Sequence, residues 1–523
     1  MLRCRRVIRL LQVPLHRACS TGANKSKGAD NGGGTSTKEQ EEDTHPIRRT
    51  FRLLGNDMRK IKEFFLPPEN EIDNQLEYKK GATSILRKFG GDKGNPDEFQ
   101  THCDVLVIGG GGIGSSIAYW LKQKARTGLN VVVVEQDDTY AKSSVHVSTG
   151  ALCQQFSLPE NIQMALFGAE FMRKANDHFG PDIPLNFVPH GQLVLAKEAD
   201  AAALQQSSQL QNELGARNQL LTPDRLRAKF PWLNCQDIAL GCLSLEGEGW
   251  FDSWALLTNL RRAACGYGAH FVHGRVIDFQ YQSQEDIIVS GDTSGSSSYQ
   301  SLDKVVVQLA DGSQRAVKFA LCVIAAGSES SKVARLAHIG QGGGILQVPL
   351  PIDARQRHNY VISTEQEHVP SGTMSMAMTM PMIVDPSGTF LRRHGLGGQY
   401  ICGHTANSAA AADASYFDAV IRPSLAKRIP AFEAATIVHS ASGIYDYNVY
   451  DENGILGAHP YYHNLYLATG FSGQGMQQAP AVGRAISELI MDGQFRTLDL
   501  TRLGFDRLIV DKPMYEFNAL NSN

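Results

Sequence analysis

The tightest constraint on the fold lies between residues 103 and 135. It opens with CDVLVI (103–108), an apolar run of the length of one buried strand. GGGGIGSSIAYWLKQ follows, in which Gly109, Gly111 and Gly114 satisfy G-x-G-x-x-G. The first glycine allows a tight turn, the second lets the backbone approach a diphosphate, and the third lets a helix lie close to the strand. Ile113, Ile117, Trp120 and Leu121 recur at helical spacing, and VVVV (131–134) reads as a second buried strand ended by Glu135. Glu135 stands 21 residues after Gly114, where a carboxylate can accept hydrogen bonds from ribose hydroxyls and would repel a 2′-phosphate. A lone glycine motif is weak. Strand, glycines, helix, strand and terminal acid in this order predict a Rossmann-like dinucleotide-binding unit.

The chain is long enough for more than that unit. Its 523 residues, 42% hydrophobic and 20% charged, predict two or more folded domains. A net charge of −3 argues against a general nucleic-acid-binding surface. No apolar run is long enough to span a bilayer as a helix. The nine cysteines include no C-x-x-C pair, so neither a zinc site nor a disulfide framework is expected. H-E-x-x-H and G-x-x-x-x-G-K-[ST] do not occur, which removes those metalloprotease and P-loop readings.

Before Thr101 the character is different. Residues 1–29 carry Arg3, Arg5, Arg6, Arg9, Arg17, Lys25 and Lys27, with no acid before Asp30, and Val7, Ile8, Leu10 and Leu11 can share one face of a short helix. That is the composition of a mitochondrial transit peptide, and it predicts a mitochondrial location. Residues 28–45 are Gly, Ser, Thr and charge, and predict disorder. In FRLLGNDMRKIKEFF (51–65), Phe51, Leu54, Met58, Ile61 and Phe65 form a helical stripe beside Arg52, Arg59, Lys60 and Lys62. Such a helix can rest on a membrane surface or a partner, or pack on its own catalytic domain. Further along, 163–179 and 199–214 read as helices, 283–304 as a Ser-rich surface loop, and MSMAMTMPM (374–382) as one face of a strand.

Two later blocks carry a family resemblance. ALCVIAAGS (320–328) is a buried strand ending at Gly327, and LYLATGFSGQGMQQAPAVGRAISELI (465–490) is a strand, a Gly-rich turn and a helix. Both resemble blocks of the D-amino-acid-oxidase-like flavoproteins, which include glycine oxidase, sarcosine oxidase and dimethylglycine dehydrogenase. The resemblance covers roughly 101–495 with the order of blocks intact. It implies FAD as the cofactor and an α/β fold: a Rossmann-like FAD-binding domain with a second substrate domain built on a mostly antiparallel sheet. The implied FAD-binding segments are 101–155, 239–340 and 440–495, the substrate segments 156–238 and 341–439, and 496–523 is a C-terminal tail. In the family the late Gly-rich turn, here Gly470, Gly473, Gln474 and Gly475, lies against the flavin ring. GWFDSWALLTNLRRAACGYGAHFVHGRVIDF (249–279) resembles the segment leading to a strand that touches adenine, with Val276 as the implied contact. Ser143 and Ser144 are implied cofactor-loop residues. Residues 140–163, 445–460 and 470–485 are similar to those of a mitochondrial family member associated with assembly of respiratory complex I. That similarity implies complex I subunits or assembly factors as partners, and the matrix or the matrix face of the inner membrane as the location.

The chemistry of the late turn agrees. Hydride arriving at flavin N5 pushes negative charge towards N1 and the C2 carbonyl, and a helix N-terminus with free N–H groups suits that charge. Gln474 or Gln477 could add a donor. A hydrolase elbow around Ser472 fails, because G-x-S-x-G needs glycine where Gln474 stands.

The resemblance implies a small-molecule amine as substrate and hydride transfer from the carbon beside the amine. Clamping a substrate carboxylate calls for Arg or Lys, preferably the forked guanidinium. Arg392 in GTFLRRHGLGGQYICG matches an arginine that recurs on a family strand of the substrate domain, with Arg393 on the opposite strand face. A surface charge is the other reading of either. Tyr360 and His358, in RQRHNYVIST, share one strand face and are substrate-site candidates, as is Tyr445. Some relatives attach FAD covalently through a histidine three residues before a glycine. His146 lies four before Gly150 and Val147 takes the matching place, which argues against a covalent link. Two readings stand: an active amine dehydrogenase or oxidase, and an assembly or scaffold protein with a structural FAD and no turnover.

Overall fold

The protein is represented by a computed structural model that describes residues 99–516 apart from 142, 182, 285–298, 365–378, 396–397 and 406–413. All described residues belong to one compact unit, Lys79–Asn523. The expected transit peptide, the charged stretch 28–45 and the amphipathic helix 51–65 lie outside the described residues, as do most of the Ser-rich loop and the start of the Met alternation.

Continuous apolar runs build the centre of a seven-stranded sheet. Strand β1 (His102–Ile108) lies parallel between β2 (Val131–Glu135) and β10 (Gln314–Ile324). Outside them, β2 pairs parallel with β8 (His270–Gln284), and β10 with β17 (Leu465–Thr469). Strand β16 (Ile455–Ala458) adds an antiparallel edge on β17. Strand β9 (Tyr299–Leu309) runs antiparallel to both β8 and β10, so these two long strands leave the parallel layer to form a meander with it. Parallel strands covered on both faces read as unbroken apolar runs. Here Val105, Val107, Val131 and Val133 face one core, while Leu106, Ile108, Val132 and Val134 face another. The first core is roofed by helices α1 (Gly112–Lys124), α2 (Pro159–Arg173), α4 (Ser253–Gly266) and α5 (Gly475–Asp492), with α3 (Glu198–Glu213) belonging to the neighbouring layer. Helix α4 starts where the Asp252 carboxylate accepts from the Ala255 N–H at 2.9 Å.

Mostly antiparallel strands build the second sheet. Its order is β15 (Thr436–Asn448), β11 (Ile352–Ser363), β14 (Gln399–His404), β13 (Thr389–His394), β12 (Met382–Val384), β4 (Gln192–Ala196), β6 (Leu240–Glu246) and β5 (Arg217–Leu221). Every pairing is antiparallel except β12 with β4. A short ribbon of β3 (Ala151–Leu152) and β7 (Gly249–Trp250) lies at the junction of the two layers. The expected architecture, α/β with a mostly antiparallel second sheet, is the observed one.

Segment membership differs in detail from the expected division. Strand β6, within 239–340, pairs in the second sheet, and β15, which spans residue 440, pairs there too. Helix α2, within 156–238, packs on α5 so closely that a Cβ at Gly168 would stand 2.6 Å from the Gln477 carbonyl oxygen. Neighbouring strands and helices recruit these elements, and their own patterns do not say which neighbours they will meet. The C-terminal tail is packed as far as it is described. Arg507 pairs with Asp451 at 2.7 Å in the interior, and Glu516 accepts from the Ser157 N–H and hydroxyl, each at 2.6 Å, before α2 begins.

Candidate active site

Two glycine turns far apart in sequence open onto one cavity of about 670 Å³. Cofactor and small-molecule sites fall in the range of roughly 300–1,000 Å³. The first turn joins β1 to α1. Gly109 has φ +103°, and a Cβ there would approach the Ala325 carbonyl carbon at 2.8 Å. A Cβ at Gly114 would collide with the Gly109 carbonyl oxygen, so helix and turn meet without room for a methyl group. Around Gly111 the space is open within 4 Å. No side chain caps α1, which leaves its first N–H groups free for an anion. Glu135 is held at this end, its Oε2 accepting from the Gly110 N–H at 2.7 Å and its Oε1 from the Asp137 N–H at 2.9 Å. Burial pushes its carboxyl pKa up, against the pull of these bonds.

The second turn joins β17 to α5. Asp446 on β15 is enclosed beneath it and accepts from the Gly470 N–H at 2.6 Å and the Phe471 N–H at 3.1 Å. Burial raises its carboxyl above the ordinary range. Gly473 has φ +93°, and no side chain caps α5 at Gln474. A Cβ on Gly112 would strike the Met476 sulfur, and one on Gly483 would stand 2.6 Å from the Ser116 carbonyl carbon. The two helices therefore converge at their N-terminal ends. Their free N–H groups and partial positive charge face the same space, a setting suited to a diphosphate at one turn and a ring that gains negative charge at the other.

Of the expected cofactor residues, Gly109, Gly111, Glu135, Ser143, Ser144, Val276, Gly327, Gly473, Gln474 and Gly475 line this cavity. Gly114 and Gly470 stand behind its wall and shape the turns. His146 turns away and stacks on Trp254 with ring centroids 4.7 Å apart, while Val147 lines the cavity.

The second sheet walls the far end with Tyr445 from β15, Arg357 and Asn359 from β11, Phe390 from β13, Met382 from β12 and Gln192 from β4. Arg357 stands over the Tyr445 ring at 4.7 Å, its Nη2 lies 3.5 Å from the Thr405 carbonyl oxygen, and its buried Nε has no protein partner. A Cβ on Gly473 would come within 2.6 Å of its Nη1, which places the guanidinium beside the second turn.

Three of the four expected substrate residues lie elsewhere. His358 and Tyr360 do share a strand face, but it is the opposite one: Tyr360 packs on Phe417 at 5.3 Å and His358 meets Tyr416 at 5.9 Å. Arg392 is buried outside the cavity lining, where its Nε donates to the Thr149 carbonyl at 2.7 Å and its Nη1 to the Arg393 carbonyl at 3.0 Å. It fastens the cofactor loop from behind. Arg393 does not diverge from it as alternation suggests: their guanidiniums lie 5.6 and 5.8 Å from the same Trp250 ring. Tyr445 alone of the four lines the cavity. Arg357 and Asn359, missed in the sequence, sit one residue away from the candidates chosen, on the other parity of one strand.

Glu248 lies just behind this end. It is 2% exposed and accepts from the Gln154 N–H and from Gln155 Nε2, both at 3.0 Å. Burial raises its carboxyl from 4.5 to about 7. Between those values the folded chain keeps a proton that the unfolded chain releases, so stability falls as pH rises from about 4.5 to about 7 and levels off above. Glu248→Gln removes that loss. Chemical denaturation should show the variant close to wild type at pH 5 and more stable at pH 8 by roughly 3 kcal/mol, taking about 1.4 kcal/mol per pKa unit. Equal differences at both pH values would contradict it.

Comparison with known proteins agrees with this geometry. The family model described as FAD dependent oxidoreductase (DAO) matches residues 104–489. The FAD-dependent oxidoreductase domain-containing protein 1 homolog of Drosophila melanogaster is 60% identical over 532 residues, covering 100% of both chains. FAD-dependent oxidoreductase domain-containing protein 1 of Xenopus laevis is 43% identical over 80% of this chain and 85% of its own. The crystal structure of L-proline dehydrogenase from P. horikoshii superposes with a TM-score of 0.64 at 22% identity, over 80% of this chain and 100% of that one, a likeness of fold.

Proposed function

Because the chain belongs to the FAD dependent oxidoreductase (DAO) family, with FAD as its cofactor, we propose that it takes a hydride from the carbon beside the amine of a small carboxylate-bearing amine. The observation that carries this reading is Arg357, a guanidinium beside the second glycine turn with a buried Nε left unpaired.

FAD, when bound, supplies the hydride acceptor. Each protein group then has a separate task. The open N-terminus of α5 favours negative charge on whatever lies against Gly473 and Gln474. Asp446 holds that turn through two backbone N–H groups. Arg357 offers a fork for a carboxylate, and the Tyr445 ring beneath it restricts where the fork can point. Met382 and Phe390 exclude water from the same end. The test is anaerobic mixing of the flavin-loaded protein with amino acids and N-alkyl amino acids. Bleaching of the flavin bands by at least one of them supports the reading. A stably loaded protein that none of them reduces would leave the alternative of a structural FAD without turnover.

The acid-free start of the chain supports a further proposal, that the protein works in the mitochondrion, in the matrix or on the matrix face of the inner membrane. Complex I subunits or assembly factors are the proposed partners, with the basic stretch 51–65 as a proposed contact for them or for the membrane surface. Import into isolated mitochondria, lost on deletion of residues 1–29, would support the location.

A further inference from the structure

A trans peptide unit is rigid and planar, and its C=O and N–H point opposite ways. Whatever fixes the Gly110 carbonyl in the first turn therefore also aims the Gly111 N–H. Gly110 is buried, and its carbonyl accepts from two hydroxyls, Ser115 Oγ at 2.7 Å and the Tyr140 phenol at 2.9 Å. The preceding peptide unit is fixed as well, since the Gly110 N–H donates to Glu135. On the side away from the two hydroxyls, the Gly111 N–H has no protein acceptor among the described residues. Gly111 lines the cavity, whereas Gly110 does not.

Ser115 stands on α1, directly after the last glycine of the motif. Tyr140 comes from further off, reaching back from the loop after β2 across 30 residues. Its backbone has φ +54°, a left-handed conformation that L side chains rarely adopt and that collects at ligand clamps. Its ring is buried with Val145 and Leu257, and Met476 packs against them. The phenolic proton has one destination. Arg261 Nη1, on α4, donates to the same oxygen at 3.3 Å, and a guanidinium accepts nothing, so the proton goes to the Gly110 carbonyl. Burial lifts the phenol to about 12, which keeps it a donor at neutral pH. Arg261 is anchored in turn to Asp138 at 3.2 Å.

We propose that Tyr140 is a positioning residue for the cofactor, whose hydroxyl turns the Gly110–Gly111 peptide so that the Gly111 N–H is presented to the diphosphate of FAD. The same loop carries Ser143, Ser144 and Val147 along the cavity, so its seating and the anion-binding end of the turn are set together. The inference rests on FAD as the cofactor and not on the amine-oxidising reading.

Tyr140→Phe keeps the ring and removes only the hydroxyl. In the FAD-loaded protein, phosphorus NMR reports the diphosphate and visible absorbance reports the flavin ring, so the two ends of the cofactor are read separately. The variant should shift at least one phosphorus resonance, leave the flavin absorbance maxima where they are, and release FAD about tenfold faster. Arg261→Met leaves the hydroxyl but no longer directs its proton, and should shift the same resonance by less; it stands in if Tyr140→Phe retains too little FAD to measure. Ser115→Ala removes the other hydroxyl. Either one alone keeps the buried carbonyl paired, so the double variant should release FAD faster than the product of the two single effects, by roughly a further fivefold. Unchanged phosphorus resonances and release in Tyr140→Phe would overturn the proposal. So would flavin maxima that move together with the phosphorus resonances, the mark of a site loosened as a whole, or single effects that simply multiply in the double variant.

Discussion

Gly114→Val is expected to purify without flavin. In the wild type the Gly114 Cα lies so close to the first turn that any Cβ would collide with the Gly109 carbonyl oxygen and stand 3.0 Å from its carbon. That neighbour is backbone and cannot rotate aside. Val107 Cγ1, at 3.3 Å, closes the other side. Either α1 must move off the sheet or the turn must open. Overpacking of this kind costs about 1–3 kcal/mol or more in stability, and it also displaces the free N–H groups that a diphosphate would meet. We expect FAD affinity to fall at least about a hundredfold, with a lower thermal midpoint, read from the flavin-to-protein absorbance ratio and from thermal unfolding. Gly111→Ala is the control. Its Cβ would meet nothing within 4 Å, so the apoprotein should keep its stability while the methyl group occupies the space a diphosphate would enter. Equal stability and FAD content in Gly114→Val and wild type would refute the close packing.

The second large effect falls on Arg357. Arg357→Met should retain FAD and lose about 10²–10³ in the second-order rate constant for flavin reduction by a carboxylate-bearing amine, since truncating one partner of a buried charge pair costs about 2–5 kcal/mol. Arg357→Lys should recover part of the loss, because an ammonium keeps the charge without the fork. Arg392→Met separates the two arginines. Its guanidinium donates to the Thr149 and Arg393 carbonyls behind the cavity wall, so its loss should lower the thermal midpoint and leave the affinity for the amine where it was. Stopped-flow reduction across amine concentrations, with thermal unfolding of the same samples, decides it. If Arg392→Met weakens amine binding and Arg357→Met does not, the clamp has been placed on the wrong strand.

The contrast between these two arginines shows how far the sequence could be read. Alternation in RQRHNY correctly groups His358 with Tyr360, and by the same rule Arg357 with Asn359. Nothing in that alternation says which pair meets the cavity. The side is decided by what covers each face. Phe417 packs on Tyr360 in a buried cluster that includes Ile421 and Leu425, and the second glycine turn lies beside Arg357. Arg392 had a strand and a family counterpart in its favour, yet its guanidinium meets the Thr149 carbonyl of a distant loop, the carbonyl of the adjacent Arg393 and the Trp250 ring. Glu248 left no pattern at all, because its role comes from partners that the chain brings back from elsewhere.

What the sequence determined by itself was local. Gly109 must be a glycine because its φ is +103°, and Gly114 because the backbone folds back on Gly109 within a few residues. VVVV had to be a buried strand because its apolar run has no polar face, and Glu135 had to stand at its end, where that strand emerges beside the turn. Those are short-range steric and solvation rules, and they need no knowledge of the remaining chain. The tertiary structure alone decided which strand face lines the cavity, which arginine stands beside the second turn, and which carboxyl is buried deeply enough for its pKa to rise to about 7. Each of those outcomes is a sum over contacts between distant segments, and burial, unlike periodicity, is a property of the whole packing.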